Sequence, residues 1–514
     1  MFKNLFKAVF IITFFSILTR IIGFFIRIFM SRTLGAEIIG IYQIACSIAG
    51  VFLTIVSSGI PLTISRLSSE YLAKSDYDKN SKMITSGTII STGLALIVCL
   101  LTLIFKPLIV SLSQSFLVAS VLIALLPTII ATALNVGFKG YLWGAQKHFA
   151  NCFVDFVEQI IKFVLMIILV PSSPNLEQAI INCALSVSIA CVLATTLSMC
   201  FYFKHKGRFS NPKGYFKLLL KKSTPITMLR IASSVGGMLI SFIMPLMLVK
   251  AGYTYAQAIS LFGIALGMTL PLLYLPNTLV GSLCTALIPD LARLKAENNT
   301  QEFTQKVKTS FVFSVFISLF LVPCFTAVGK EIGLFVYNNE LSGVMLQYSA
   351  LIMLPMGIND IASSVLNSLG YEIKSFKNYV FGSIFLILSI LLLPSYFGIY
   401  ALLIGMTGSL VISGYLNLKM IKKELNLNKI IIKEMTLMCL FLIPSILINE
   451  FTFNLLSKVF TTFFSIAISS ILGVIFFTTL CLIFKIFTLN ALLINFKNIK
   501  VLKRKRKLKK SVKE

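Results

Sequence analysis

The chain has 514 residues, is 57% hydrophobic and only 12% charged, and carries a net charge of +28. A soluble domain holds about 25% charged residues, so a soluble fold is excluded. The basic excess does not indicate nucleic acid, because apolar stretches of spanning length run nearly end to end and the cations lie between them. The short alternating segments of an outer-membrane barrel are missing. The fold class expected is an all-α polytopic membrane protein with about 14 transmembrane helices.

Span 1 (8–30) has no small-residue cleavage site and is expected to stay in the mature chain. It carries Arg20 near its middle and Arg27 two turns later on the same face. The chain has 37 lysines and 9 arginines, so an arginine inside a span is a departure from its default cation. A charge at bilayer depth costs about 3 kcal/mol or more and is kept where it faces protein, water or a charged ligand. Guanidinium suits phosphate, which it grips with a planar fork of donors. These residues indicate a transporter with a cationic cavity for a phosphate-bearing substrate. A buried ion pair at Arg20 and snorkelling at Arg27 are the plainer readings.

Span 2 (38–60) is expected to continue past Pro61 as an amphipathic helix to Leu72. Arg66 lies there, as a gate or as an anchor paired with Glu70. Spans 3 (83–105) and 4 (116–142) follow, with Pro127 a hinge candidate in span 4. Span 5 (153–170) opens with Asp155 and Glu158. Glu158 is a coupling candidate, with an i, i+4 pair to Lys162 as its plainer reading. Span 6 (178–203) leads to a basic linker, 204–223.

Span 7 (224–249) holds Arg230, a cavity candidate or a snorkelling residue, and Gly236-Gly237, expected to break the helix. Span 8 (259–288) contains Pro271 and Pro276, and span 9 is 310–328. Span 10 (345–369) contains Pro355, a hinge candidate, and Asp360, the foremost candidate for ion or proton coupling. Spans 11 (376–394), 12 (398–418), 13 (432–449) and 14 (460–484) complete the set. The tail from Lys497 to Lys513 carries ten cations and reads as a polybasic segment held at anionic lipid headgroups.

Lysines crowd the even-numbered loops, for example Lys74, Lys79 and Lys82, or Lys419, Lys422 and Lys423. Both termini are therefore expected in the cytoplasm of a multi-pass cell-membrane protein.

The chain repeats itself. Ile60-Pro61 with Arg66, Leu67 and Glu70 matches Ile288-Pro289 with Arg293, Leu294 and Glu297. Leu126-Pro127 matches Leu354-Pro355, and Pro171-Ser172 matches Pro394-Ser395, all at an offset of about 228 or slightly less. The expected organisation is an N-lobe (1–203), the linker (204–223), a C-lobe of like topology (224–420), spans 13 and 14 (421–487) and the tail (488–514). Substrate sites in two-lobe transporters lie at midplane between repeats.

Enzymatic constellations are not evident. His148 and His205 are the only histidines, no P-loop occurs, and the ten cysteines show no metal spacing. No cofactor is expected, beyond coupling to a monovalent cation or to the membrane potential.

The run Thr19-Arg20-Ile21-Ile22-Gly23-Phe24, then Leu34-Gly35-Ala36-Glu37, Gly59-Ile60-Pro61, Arg66, Glu70, Gly140-Tyr141, Gly144 and Glu158-Gln159, resembles the stage V sporulation protein B family. That family lies in the polysaccharide-transporter branch of the multidrug/oligosaccharidyl-lipid/polysaccharide (MOP) exporter superfamily and is similar to the lipid II flippases. The resemblance implies two six-helix lobes in a V-shaped, MATE-like fold, plus two helices lining a hydrophobic groove. It implies a flippase that moves undecaprenyl-pyrophosphate-linked peptidoglycan precursor to the outer leaflet, for spore cortex. Arg20 falls on the first of the flippases' two span-1 arginines, and Arg27 on the second, displaced by one residue. The flippases also use span-2 and span-8 arginines; here span 8 has none before its end, and Arg66 lies further along the chain. Arg230 is the available substitute.

The expected partners are a lipid-linked oligosaccharide, anionic lipids and a cell-wall synthase complex, with no nucleic acid. The alternatives are a flippase for another lipid-linked polysaccharide, a MATE-like multidrug exporter, and a non-transporting scaffold.

Overall fold

A computed structural model describes residues 2–212, 214–297, 299–424, 429–484 and 486. The expected polybasic tail lies outside the described residues. Every regular element among the described residues is a helix. A chain this apolar, with no water to satisfy its backbone, must bond its own amides within each segment, and a helix does so.

Among the described residues, twelve helices are long and apolar enough to cross a membrane. The first, over 11–73, contains both spans 1 and 2. Span 5 forms the helix His148–Leu169, which is outside those twelve and bears Asp155, Glu158 and Lys162. Helix thus covers most of each of the fourteen expected stretches, with span 9 interrupted at 320–321 between Thr300–Leu319 and Val322–Tyr337.

The helix Phe2–Ser57 is continuous except at Gly35, whose φ of 77° separates spans 1 and 2. Only glycine takes that conformation without strain. A bend at 58–59 starts the helix Ile60–Ala73, which continues beyond span 2 as expected.

One expected break is absent: the helix Phe216–Lys250 runs through Gly236-Gly237. Pro127, the hinge candidate of span 4, lies inside the helix Phe116–Gly144. Inside a long apolar segment, a glycine's helix penalty of about 1 kcal/mol is smaller than the penalty for exposing unbonded amides to lipid. Other breaks are real. A 3₁₀ turn, Ala350–Ile352, precedes Met353–Ser368, with Pro355 in the first turn of that helix. In span 8, Tyr255–Gly263 passes through a π-helix, Ile264–Thr269, into Leu270–Ala296, with Pro271 at its start.

The residues group into two compact units, 1–268 with 390–399, and 269–389 with 400–514. This grouping by packing differs from the grouping by repeat: span 7 and the start of span 8 pack with the first unit. Glycine allows that packing. A Cβ at Gly40 would collide with Ile259, and one at Gly263 with Ala36. In the first unit, Ile26, Met30 and Leu34 bury against Met166, Val170 and Cys183.

In the second unit, Leu291, Phe311, Ile361, Leu366 and Ile421 form the core. Span 13 is tied to it by Lys308 Nζ and Glu434 Oε1 at 3.3 Å. Cys324 Sγ and Ser470 Oγ, 2.9 Å apart, tie span 14 to it.

Candidate functional site

Arg230 and, one turn on, Ser233 and Ser234 face the end of span 2, where Leu53, Thr54, Ser57 and Ser58 complete a cleft of about 330 Å³. Thr54 Oγ1 and Ser234 Oγ lie 2.8 Å apart and bridge the two helices. Thr54 also donates to its own helix at Gly50 O, 2.7 Å away, so Ser234 supplies the proton of the bridge. Ser57 likewise donates to Leu53 O at 2.7 Å. Ser58 is only 7% exposed, yet its hydroxyl has no hydrogen-bond partner. The lining contains one guanidinium, five hydroxyl residues and a leucine, and no carboxylate.

Arg20, Arg27 and Arg230 are all exposed side chains in apolar helices. None of the three has an ion pair or hydrogen bond among the described residues. Arg20 and Arg27 share the first half of the helix Phe2–Ser57. Arg27, together with Lys162, lies close enough to Cys46 to act on it electrostatically. Neither Arg20 nor Arg27 lines the Arg230 cleft.

Arg66 is on the helix Ile60–Ala73 with its side chain 86% exposed, 3.9 Å from Glu70. Its repeat counterpart Arg293 likewise reaches a glutamate, Glu297 at 3.6 Å, but lies closer to Asp290, at 3.1 Å. Arg66 therefore has the partner that the anchor reading gives it.

Asp360 accepts a hydrogen bond from Asn277 Nδ2 at 2.8 Å, linking span 10 to span 8. The other amide atom, Asn277 Oδ1, is buried without a partner. The neighbouring Asn359 Oδ1 accepts from Ser413 at 3.1 Å and from Asn417 at 3.2 Å. Among the described residues the Asp360 carboxylate thus bonds an amide and has no ion pair.

The expected Glu158–Lys162 pair does not form. Lys162 Nζ donates instead to Gln159 Oε1 at 3.3 Å, one turn back, since i−3 and i−4 are equally reachable on a helix. The acid that is paired is Asp155, 2.6 Å from Lys139 Nζ. Lys139 went unnoticed in the sequence, although a lysine inside the apolar 116–142 stretch was itself the signal. Among the described residues no group of three His, Cys, Asp or Glu side chains converges to hold a metal.

The profile of the polysaccharide biosynthesis protein family matches residues 5–295, more than half of the chain. The chain belongs to that family. It is similar to stage V sporulation protein B of Bacillus subtilis (strain 168), 26% identical over 346 residues. That match covers 64% of this chain and 64% of the relative, so the chain spans less than two thirds of the relative's length. Its fold is that of the lipid II flippase MurJ in an inward closed conformation, at a TM-score of 0.70 and 17% identity, over 92% of this chain and 98% of that one. It is also that of an inward-facing multidrug resistance MATE transporter of the MOP superfamily, at a TM-score of 0.66 and 14% identity, over 79% of this chain and 94% of the transporter. At these identities the likeness shows the fold, which is the one these two membrane transporters share.

Proposed function

We propose that this protein is a flippase carrying undecaprenyl-pyrophosphate-linked peptidoglycan precursor, lipid II, from the inner to the outer leaflet of the cell membrane, for spore cortex synthesis. The observation that carries the proposal is the trio of intramembrane arginines, Arg20, Arg27 and Arg230, each exposed and without an acidic partner among the described residues. An unpaired guanidinium in a span is stable where it meets water or an anion. A pyrophosphate cannot cross hydrocarbon unaided, because desolvating its charge is prohibitive. A cationic interior removes that barrier without making or breaking a bond.

In this reading the span arginines hold the headgroup, and spans 13 and 14 guide the prenyl tail. Asp360, with Glu158 as the lesser candidate, couples transport to a monovalent cation, a proton or the membrane potential. The turn before Pro355 supplies a bend for alternating access. The lysine-rich even loops place both termini in the cytoplasm.

A multidrug exporter for cations is the second reading, and it calls for an acid-lined cavity. The cleft at Arg230 holds no carboxylate, which favours the anionic substrate. The test uses bacterial cells depleted of their own lipid II flippase, measuring the fraction of lipid II exposed to an external cleaving probe. Restored exposure that Arg20→Ala abolishes supports the proposal. Failure to restore exposure, at full membrane expression, rejects lipid II and leaves another lipid-linked glycan. Restoration that Arg20→Ala leaves intact removes span 1 from the path.

A further inference from the structure

We propose that the π-helix Ile264–Thr269, inside span 8, is a register switch. Rewinding it as α-helix turns the first part of the span, Tyr255–Gly263, about the axis of the second part, Leu270–Ala296, and keeps both parts helical. This deepens the reading of the protein as a transporter and rests on it, whichever lipid is carried.

A π turn bonds each amide one residue further back than an α turn does, so a single π turn holds one surplus residue. Rewinding it moves one flank by that residue, about 100° around the axis and about 1.5 Å along it. Such turns are rare and occur mostly at functional sites. Pro271 weakens the α form here, because it lacks the N–H that would bond Gly267 O and its ring crowds that carbonyl. Proline alone does not account for the winding, since Pro127 and Pro245 lie inside helices that stay α throughout.

Span 8 differs in what holds the two ends of the segment. On one side, a Cβ on Gly263 would collide with Ala36 O and Gly40, and a Cβ on Gly267 with Ile39. Ala36 directly follows Gly35, the break between spans 1 and 2. On the other side, the fully buried Thr269 donates its hydroxyl to Ser342 O at 3.1 Å, in the helix Glu340–Ser349. The division between the two compact units falls between Met268 and Thr269, inside the segment.

The clamp at Gly263 gives the switch two states. A shift of one residue brings Phe262 or Ile264 to the place of Gly263. Neither side chain fits where a lone Cβ already collides. The rewound form therefore excludes the packing on span 2, and that packing excludes rewinding. Close-packed helices have discrete arrangements rather than a continuous range. Regained α hydrogen bonds favour one arrangement, and the glycine contacts favour the other. Release of span 8 from span 2 and rewinding of the segment are thus one event, and alternating access gives it a use.

The test deletes Leu266. With the surplus residue gone, the segment closes as α-helix and both flanks keep their present register. The variant should reach the membrane and melt within a few degrees of wild type. Deleting Leu283, in the α-helical second part, is the control: no surplus absorbs that loss, and the protein should unfold. In reconstituted vesicles, transport of a fluorescent undecaprenyl-pyrophosphate-linked disaccharide should fall about tenfold when Leu266 is deleted. Pro271→Ala restores the missing N–H and should slow transport about threefold. Hydrogen exchange of the amides of 262–272 needs no substrate. Wild type should show a fast and a slow population, and the Leu266 deletion a single slow one.

Unimpaired transport by both folded variants makes the π-helix a fixed feature and overturns the switch. Unfolding on deletion of Leu266, equal to that on deletion of Leu283, shows that no residue is surplus and also overturns it. A single exchange population in wild type overturns it without reference to transport. Two populations in a wild-type protein that moves no probe support the switch and reject the flippase reading alone.

Discussion

Lys139 Nζ lies 2.6 Å from Asp155 Oδ1, joining the helix Phe116–Gly144 to the helix His148–Leu169. The pair sits among apolar segments, with side chains 33% and 46% exposed. Removing one member leaves an uncompensated charge, which is worse than removing both. Asp155→Ala and Lys139→Ala should each destabilise the protein by about 2 kcal/mol. The double variant should be no less stable than either single one, a coupling of about 2 kcal/mol or more. Thermal unfolding in detergent measures the cycle, and simple additivity would show that the two residues do not act as a pair.

Arg66 and Arg20 should behave oppositely. Arg66 is exposed and bonded to Glu70 on its own helix, and an exposed i, i+4 pair contributes about 0–1 kcal/mol. Arg66→Ala should keep both fold and transport close to wild type. Arg20→Ala should fold and lose lipid II exposure in flippase-depleted cells. Loss of transport in Arg66→Ala at normal expression would instead make Arg66 a gate.

Asp360→Asn keeps the shape and the contact to Asn277 while removing the charge. If Asp360 couples transport to a cation or proton, this variant should flip substrate without any response to an imposed sodium or pH gradient. Reconstituted vesicles with a fluorescent lipid-linked probe measure it. An unchanged gradient response excludes Asp360 as the coupling group.

Gly40→Val or Gly263→Val should disrupt the first unit. A Cβ at either position meets backbone of the facing helix, Ile259 or Ala36, and overpacking of this kind costs about 1–3 kcal/mol. Gly23→Ala, at a glycine with open space around it, should be tolerated. Membrane yield and unfolding temperature compare the three.

Much of this architecture is legible in the chain. The apolar runs and the amphipathic stretch after Pro61 correspond to helices, because the rule for a span depends only on its own residues. Gly236-Gly237 misleads for a related reason. A glycine pair breaks a helix where water competes for its amides, and this pair lies in an apolar segment where water does not. Glu158 and Lys162 have pairing spacing, but Gln159 offered Lys162 an equal partner one turn back.

The sequence by itself determined that this is a multi-helix membrane protein, that three arginines lie in its apolar segments, and that Arg66 and Arg293 each face a glutamate one turn away. Each of these follows from residues within a few turns of one another. Only the tertiary structure decided that Arg230 shares a cleft with Ser58, that Asp155 belongs to Lys139, and that Asn277 bonds to Asp360. Those partners lie far apart along the chain, and the register between helices sets which of them meet. That register comes from close packing at residues such as Gly40, Gly59 and Gly263, where one missing side chain lets two backbones approach.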